Sequence, residues 1–324
     1  MILVTGGAGY IGSHYVDYAH KKGSEIVVLD NLVYGHAEAV KDSATLIRGD
    51  MGDPKLLDEL FTQYKIEAVI HFAAYAYVGE SVKDPAKYYK NNTVCTLAVL
   101  DAMLRHNVNN FIFSSSCATY GNPHYIPMDE AHPQDPINPY GETKFFVEKI
   151  LKAYSRAYGL KYTALRYFNA VGAAPDGHIG ESHDPETHLL PLILQTALGK
   201  RDSISVFGTD YDTPDGTCIR DYIHILDIAQ AHDLAMQRLQ SGGESAFYNL
   251  GTEKGTSVRE AIVACEKVSG KPIKVKEEPR REGDPPRLVA SAAKAKSELG
   301  WKPAYDDFEE IIRTAWEWET HRRY

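Results

Sequence analysis

Tyr140-Gly141-Glu142-Thr143-Lys144 sets a phenol and an ammonium four residues apart. On a helix such residues share a face, so Lys144 can lie beside the Tyr140 hydroxyl. A free phenol titrates near ~10 and is a poor base at neutral pH. A cation within about 4–6 Å favours phenolate, and the pair is then expected to act as a general base. The spacing alone does not single it out, because Tyr18-x-x-x-Lys22 has the same separation. Context decides between them. Ser116 comes 24 residues before Tyr140, at the end of a predicted strand, where its hydroxyl can bond the same substrate oxygen that the phenolate deprotonates. Asn138 and Pro139 suit the N-cap and first helical position, which puts Tyr140 in a first turn. The helix of Tyr18 and Lys22 instead begins at a glycine-rich turn, far from both residues.

That turn is the second chemical signal. Ile2-Leu3-Val4-Thr5 reads as a strand, Gly6-Gly7-Ala8-Gly9-Tyr10-Ile11-Gly12 follows, and a helical pattern runs on to Lys22. Glycines let a pyrophosphate approach the backbone, and the free N–H groups of the helix start, those of Tyr10 and Ile11 included, face it. The spacing Gly6-x-x-Gly9-x-x-Gly12 is one residue longer than G-x-G-x-x-G. A second strand, Glu25–Leu29, ends in Asp30; an acid there accepts from adenosine ribose hydroxyls and repels a 2′-phosphate. NAD rather than NADP is expected.

The elements that position these groups alternate. Leu46-Ile47-Arg48 leads to Asp50-Met51, and Ala68–Phe72 to Ala73-Ala74. A helix is expected over about 86–106, then Asn110–Phe113 runs into Ser114-Ser115-Ser116. Such βα alternation predicts an α/β fold with a doubly wound parallel Rossmann sheet and ligands beyond its carboxyl strand ends. A smaller α/β substrate-binding domain is expected after a break at Gly172–Gly177. The boundaries are 1–169 for nucleotide binding, rejoined by about 221–251, and 170–324 for substrate.

Composition excludes several classes. The formal charge of −9 over 324 residues leaves no basic footprint for nucleic acid. No apolar run reaches the ~18 residues of a membrane span, and residues 1–12 read as strand and phosphate loop rather than a signal peptide. Four cysteines without paired spacing predict reduced thiols and a cytoplasmic protein. His178, His183 and His188, with Glu181, Asp184 and Glu186, recur at a spacing of five that suits neither helix face nor strand. The segment reads as a polar loop over the nucleotide, and no metal is expected.

Beyond these groups, Phe72-Ala73-Ala74 with Val78-Gly79-Glu80-Ser81, Tyr89-x-Asn91-Asn92, Arg166-Tyr167-Phe168-Asn169, Asp215–His224 and Arg280-Arg281-Glu282-Gly283-Asp284 follow one another along nearly the whole chain. Together with the nucleotide turn, Asp30, Ser116 and Tyr140/Lys144, they resemble the extended short-chain dehydrogenase/reductases. Within that family they look like the UDP-glucose 4-epimerases and their near relatives. The resemblance implies an NAD-dependent isomerase acting at C4 of a UDP-sugar through a 4-keto intermediate. It implies that Gly6, Gly9 and Gly12 hold the pyrophosphate, Asp30 and Asn31 the ribose, and Asp50 and Met51 the adenine. Phe72, Ala73, Ala74, Asn91, Ser114, Tyr167 and Phe168 would line the cofactor groove. Tyr140 would be the base, Lys144 would hold the nicotinamide ribose, and Ser116 would bridge to the sugar. Asn169, Leu189, Val206, Phe207, Arg220, Arg281 and Asp284 would bind UDP, with Phe168 and Tyr167 bordering the sugar. The family also pairs the helices expected at 92–106 and 140–158 across a two-fold axis, which implies a homodimer.

Three positions depart from the best-known pattern. Ala76 stands where some members carry lysine, His188 where an asparagine often contacts the substrate phosphate, and Leu288 where in some members a bulky tyrosine closes the sugar pocket. The smaller leucine implies room for a 2-acetamido group. Rival readings divide on residues. A dehydratase needs an acid–base pair just after the serine strand, whereas Cys117-Ala118-Thr119 follow Ser116. A silent NAD-binding module has no use for Tyr140 and Lys144. A 4-epimerase of UDP-pentoses or UDP-glucuronate uses the same C4 chemistry and stays open.

Overall fold

Short, nearly continuous apolar runs make strands that must be covered on both faces. In a computed structural model, which describes residues 1–281 and 283–324, seven of them form one parallel sheet. They are β1 (Ile2–Thr5), β2 (Ile26–Asp30), β3 (Thr45–Arg48), β4 (Ala68–His71), β5 (Asn110–Ser116), β6 (Lys161–Tyr167) and β7 (Ala246–Leu250). Their spatial order is 3-2-1-4-5-6-7, and every neighbouring pair is parallel. Alternation along each strand sends successive side chains to opposite faces. Val4, Val28, Ile70, Ile112 and Leu165 join one core, beneath helices Tyr10–Lys21 and Ile225–Gln240. Leu3, Val27, Val69, Phe111 and Ala164 join the other, beneath Pro54–Gln63, Cys95–Arg105 and Pro139–Tyr158. The doubly wound sheet expected from βα alternation is the fold.

The order reverses between β1 and β4, which opens a crevice at their carboxyl ends. The Phe72 and Ala73 amides donate to Thr5 O at 2.9 and 3.0 Å, drawing the chain after β4 across the end of β1. Gly6 has φ +70°, and a β carbon on it would lie 2.5 Å from Ala73 N. Only glycine meets both demands.

The helix expected over 86–106 is broken into Pro85–Tyr88, a π-helical turn Tyr89–Val94 and Cys95–Arg105. The wide turn carries Asn92, whose side chain accepts from Tyr75 N and donates to Tyr75 O and Thr143 Oγ1 at 2.8, 2.9 and 3.1 Å. It thereby ties the loop after β4 to the helix of Tyr140. Such turns recur at functional sites, and no period in the sequence marks this one.

After Tyr167 the chain builds a smaller α/β lobe. Helices Leu189–Ala197, Val258–Ser269 and Phe308–Thr320 pack with strands Ile204–Phe207 and Val275–Glu278 around Ile193, Leu194, Ala261 and Ile312. Between these pieces the chain returns to the large sheet, where β7 pairs with β6 from Ala246↔Thr163 to Leu250↔Tyr167. Among the described residues no helix is long and apolar enough to cross a membrane.

Candidate active site

The glycine turn leaves donors free where an anion would sit. Helix Tyr10–Lys21 has Gly9 as its N-cap, no capping side chain and no acid in its first turn, so the Tyr10 and Ile11 amides have no intrahelical acceptor. A β carbon on Gly9 would touch only Gly6 O, at 3.5 Å, whereas one on Gly12 would lie 2.2 Å from Gly6 O. Gly12 thus lets the helix close on the turn, and Gly9 keeps the outward face open. The arrangement fits the pyrophosphate of a dinucleotide. The Tyr10 side chain turns elsewhere, its hydroxyl donating to Gly172 O at 2.6 Å.

Asp30, 8% exposed, accepts from Ala8 N at 2.9 Å and Leu32 N at 2.8 Å. One carboxylate therefore fixes both the phosphate turn and the end of β2, while burial raises its pKa. Asn31 Oδ1 accepts from Val33 N and Asp50 Oδ1 from Gly52 N. Met51 is buried in the core beneath the sheet, and Phe72 packs against Tyr15 and His232. Ala73 and Ala74 follow at the switch point, and Asn91 Nδ2 donates to Asn92 Oδ1.

At the end of β5 the reacting groups converge. Asn138 caps helix Pro139–Tyr158 by accepting from Gly141 N at 2.9 Å, with Pro139 at its first position. A β carbon on Gly141 would lie 2.4 Å from Ala118 O, so this glycine lets the Tyr140 turn lie directly on the segment after Ser116. Lys144, 3% exposed, donates to Ser114 O at 2.7 Å, and its Nζ is 5.9 Å from the centre of the Tyr140 ring. Ser114 also hydrogen-bonds the Tyr167 hydroxyl, and burial raises that phenol's pKa.

The expectation that Lys144 lowers the phenol is corrected for the protein alone. Burial pushes Tyr140 up to about 12, with the nearby Ser116 hydroxyl pulling the other way. Burial likewise pushes the Lys144 ammonium down to about 7. Each charged form loses more hydration than its neighbour returns. The Cys117 thiol, also pushed up to about 12 by burial, is no thiolate nucleophile.

One supporting group was not picked out by sequence reasoning. Glu148 follows Tyr140 and Lys144 at successive four-residue steps on the same helix. Its oxygens accept from Arg166 Nε at 2.8 Å and Nη2 at 2.6 Å, from Ser115 Oγ at 2.7 Å and from Gln134 Nε2 at 2.8 Å. Arg166 Nη1 also donates to Tyr120 OH, which donates to Asn249 Oδ1. This network joins β5, β6, β7 and the Tyr140 helix one residue from Ser116. The signal was the run 140, 144, 148, a charged stripe on a helix that must face a sheet.

In the smaller lobe Arg220 donates to Ile219 O and Pro285 O, both at 2.9 Å, and to Asp284 Oδ1 at 3.1 Å. Asn169 donates to Asp221 O. Arg281 lies 4.4 Å from the Phe207 ring centre. Leu189 starts helix Leu189–Ala197. Leu288 packs against the cluster of Tyr120, Met128, Phe168 and Ala290. Val206 is corrected: strand alternation points Phe207 outward and buries the Val206 side chain in the lobe's core, so only its backbone can face a ligand. Glu282, within the Arg280–Asp284 motif, lies outside the described residues.

The histidine segment is the irregular loop expected. Although it has no helical or strand period, its loop gathers Glu181, His183, Glu186 and His188, with one ligand atom from each within 4.8 Å of the others. His188 Nδ1 lies 2.8 Å from Glu181 Oε1 and 3.0 Å from Glu186 Oε1. That engages the nitrogen with carboxylates, where the resemblance puts position 188 on a substrate phosphate. His178 pairs instead with Asp176 and Asp17.

Comparison with known proteins agrees with this geometry. Residues 2–251 match the model of the NAD dependent epimerase/dehydratase family. The UDP-glucose 4-epimerase of Halalkalibacterium halodurans is 53% identical over 317 residues, covering 98% of this chain and 95% of that protein. The crystal structure of UDP-glucose 4-epimerase from Brucella ovis in complex with NAD superposes with a TM-score of 0.95 at 51% identity, covering 97% of each chain. That of the Bifidobacterium longum enzyme in complex with NAD⁺ and UDP gives 0.93 at 38% identity, covering 98% of each.

Proposed function

Because the chain belongs to the NAD-dependent epimerase/dehydratase family, we propose that it is an NAD-dependent 4-epimerase interconverting UDP-glucose and UDP-galactose through a 4-keto sugar. The observation that carries the reading is the meeting of Ser116, Tyr140 and Lys144 beyond the carboxyl ends of β5 and β6, in the sheet whose glycine turn is built for a pyrophosphate. In this reading Gly6, Gly9 and Gly12 hold the dinucleotide's phosphates with the Tyr10 and Ile11 amides. Asp30 and Asn31 take its adenosine ribose, and Lys144 the other ribose. When bound, NAD supplies the hydride acceptor and donor for C4 and, in its oxidised form, a positive charge beside the phenol.

The protein's own groups do the rest. Tyr140 removes the 4-hydroxyl proton, with Ser116 bridging, and later returns a proton to the opposite configuration. Arg220 and Arg281 grip the diphosphate in forked geometry, while the Phe207 ring suits the uracil face. Anchoring far from C4 leaves the 4-keto sugar free to turn and present its other face without escaping. Incubating the purified protein with UDP-glucose, without added NAD, and resolving the products tests the function. UDP-galactose is expected, and an unchanged sugar both here and after NAD addition refutes it.

The reading extends the substrate range to UDP-N-acetylhexosamines, supported by a leucine rather than a bulkier side chain at position 288, packed against the cluster that holds Phe168. Leu288→Tyr is expected to lower kcat/KM for UDP-N-acetylglucosamine at least about tenfold and to leave UDP-glucose turnover within a few-fold. A wild-type kcat/KM for the acetylated sugar more than about a hundredfold below that for UDP-glucose overturns this extension. The same reading includes a homodimer across helices Cys95–Arg105 and Pro139–Tyr158, supported by exposed Val94, Phe146 and Tyr158. Light scattering that returns a single chain's mass removes it. A cytoplasmic location is supported by the four free thiols. The domain division at 169/170, with 221–251 rejoining the first domain, is supported by the pairing of β7 with β6.

A further inference from the structure

We propose that Glu181, His183, Glu186 and His188 form a structural zinc site that braces the loop leading into helix Leu189–Ala197. Two imidazole nitrogens and two carboxylate oxygens are a donor set suited to Zn²⁺, which binds them at about 2.0–2.2 Å in a tetrahedron. Corners of such a tetrahedron are about 3.4 Å apart. The nitrogen–oxygen separations here bracket that value: His183 Nδ1 lies 3.2 Å from Glu181 Oε1 and 3.6 Å from Glu186 Oε2. His188 Nδ1 lies 2.8 Å from Glu181 Oε1, and one ligand atom from each of the four residues lies within 4.8 Å of the others.

A second observation points into the same space. Glu186 Oε2, on a side chain only 5% exposed, has no hydrogen-bond partner among the described residues, and neither has His183 Nδ1. The other oxygen, Oε1, already accepts from Thr187 N at 2.8 Å and His188 N at 2.9 Å. The backbone therefore orients the carboxylate and leaves its second oxygen for a cation. Charge agrees as well: two carboxylates neutralise a divalent ion beside neutral imidazoles.

Four protein ligands fill a tetrahedron, so the site holds the fold and leaves no open position for chemistry. All four come from eight residues. Around them, Trp318 Nε1 donates to Glu181 O, and the Tyr10 and Tyr77 rings stand edge-on to His183 at 6.3 and 6.0 Å. An ion there would fasten this loop beside the start of the dinucleotide helix.

The test uses full-length protein without a histidine tag. Chelator-treated wild type is reconstituted with zinc chloride, desalted and assayed by elemental analysis. About one equivalent per chain is expected, with a higher unfolding temperature than the chelated form. Cobalt chloride should give the visible d–d absorption of a tetrahedral site. His183→Ala/Glu186→Gln is expected to hold at least about fivefold less zinc, with circular dichroism checking its fold. Below half an equivalent in reconstituted wild type, or a folded double variant that keeps more than half of the wild-type zinc, overturns the proposal. If the variant does not fold, wild-type stoichiometry and the cobalt spectrum decide.

Discussion

Tyr140→Phe lowers kcat by about 10²–10⁴-fold while the dissociation constant for UDP stays within a few-fold of wild type. The reason is geometric. The phenyl ring keeps the packing of a first helical turn already fixed by the Asn138 cap and by Gly141 against Ala118. What disappears is the oxygen proposed to take the 4-hydroxyl proton beside Ser116. In the proposed reading UDP is held in the other lobe, by groups around Arg220 and Phe207 that the substitution does not touch. Rapid-quench turnover paired with calorimetric UDP binding separates the two effects. If more than about a tenth of wild-type turnover survived, Tyr140 would not be the base.

The buried pair Glu148–Arg166 yields the second large effect, on stability. Side-chain exposures of 1% and 2% mean that removing either partner strands the other charge away from water. Glu148→Ala is expected to cost about 3–5 kcal/mol in urea unfolding. The double replacement Glu148→Met/Arg166→Leu, which leaves no orphan charge, should cost distinctly less than the sum of the single changes. The distinction matters because Glu148 also accepts from Ser115, the neighbour of Ser116. A stable but slow double variant would identify the pair as the brace that positions the serine. A loss below about 1 kcal/mol for Glu148→Ala would instead mean that water reaches the Arg166 guanidinium left behind.

How far the site was legible depends on the reach of each signal. Gly6, Gly9 and Gly12 were readable because a strand, a tight turn and a helix start impose backbone demands within a dozen residues, and those demands exclude most side chains. Asp30 was readable as the terminus of an apolar strand, and Asn138-Pro139 as a helix start, for the same local reason. The serine run at the end of Asn110–Ser116 followed from where an apolar run stops. These features, with the doubly wound sheet itself, were determined by residues near one another in the chain.

Contacts closed across the sheet were not. Nothing near Glu148 announces Arg166, which reaches it from a neighbouring strand. Strand alternation turns the Val206 side chain into the lobe's core, away from any ligand. Glu181, His183, Glu186 and His188 meet through an irregular loop whose path has no period to read, so their spacing argued against the cluster that the fold assembles. The protonation of Tyr140 and Lys144 depends likewise on burial, a property of the whole molecule. Amino-acid order alone determined which groups stand at the glycine turn, the helix caps and the strand ends, because these are local steric facts. Tertiary structure decided which of those groups are braced, charged or gathered around a common point, because dielectric and distance exist only once the chain has closed on itself.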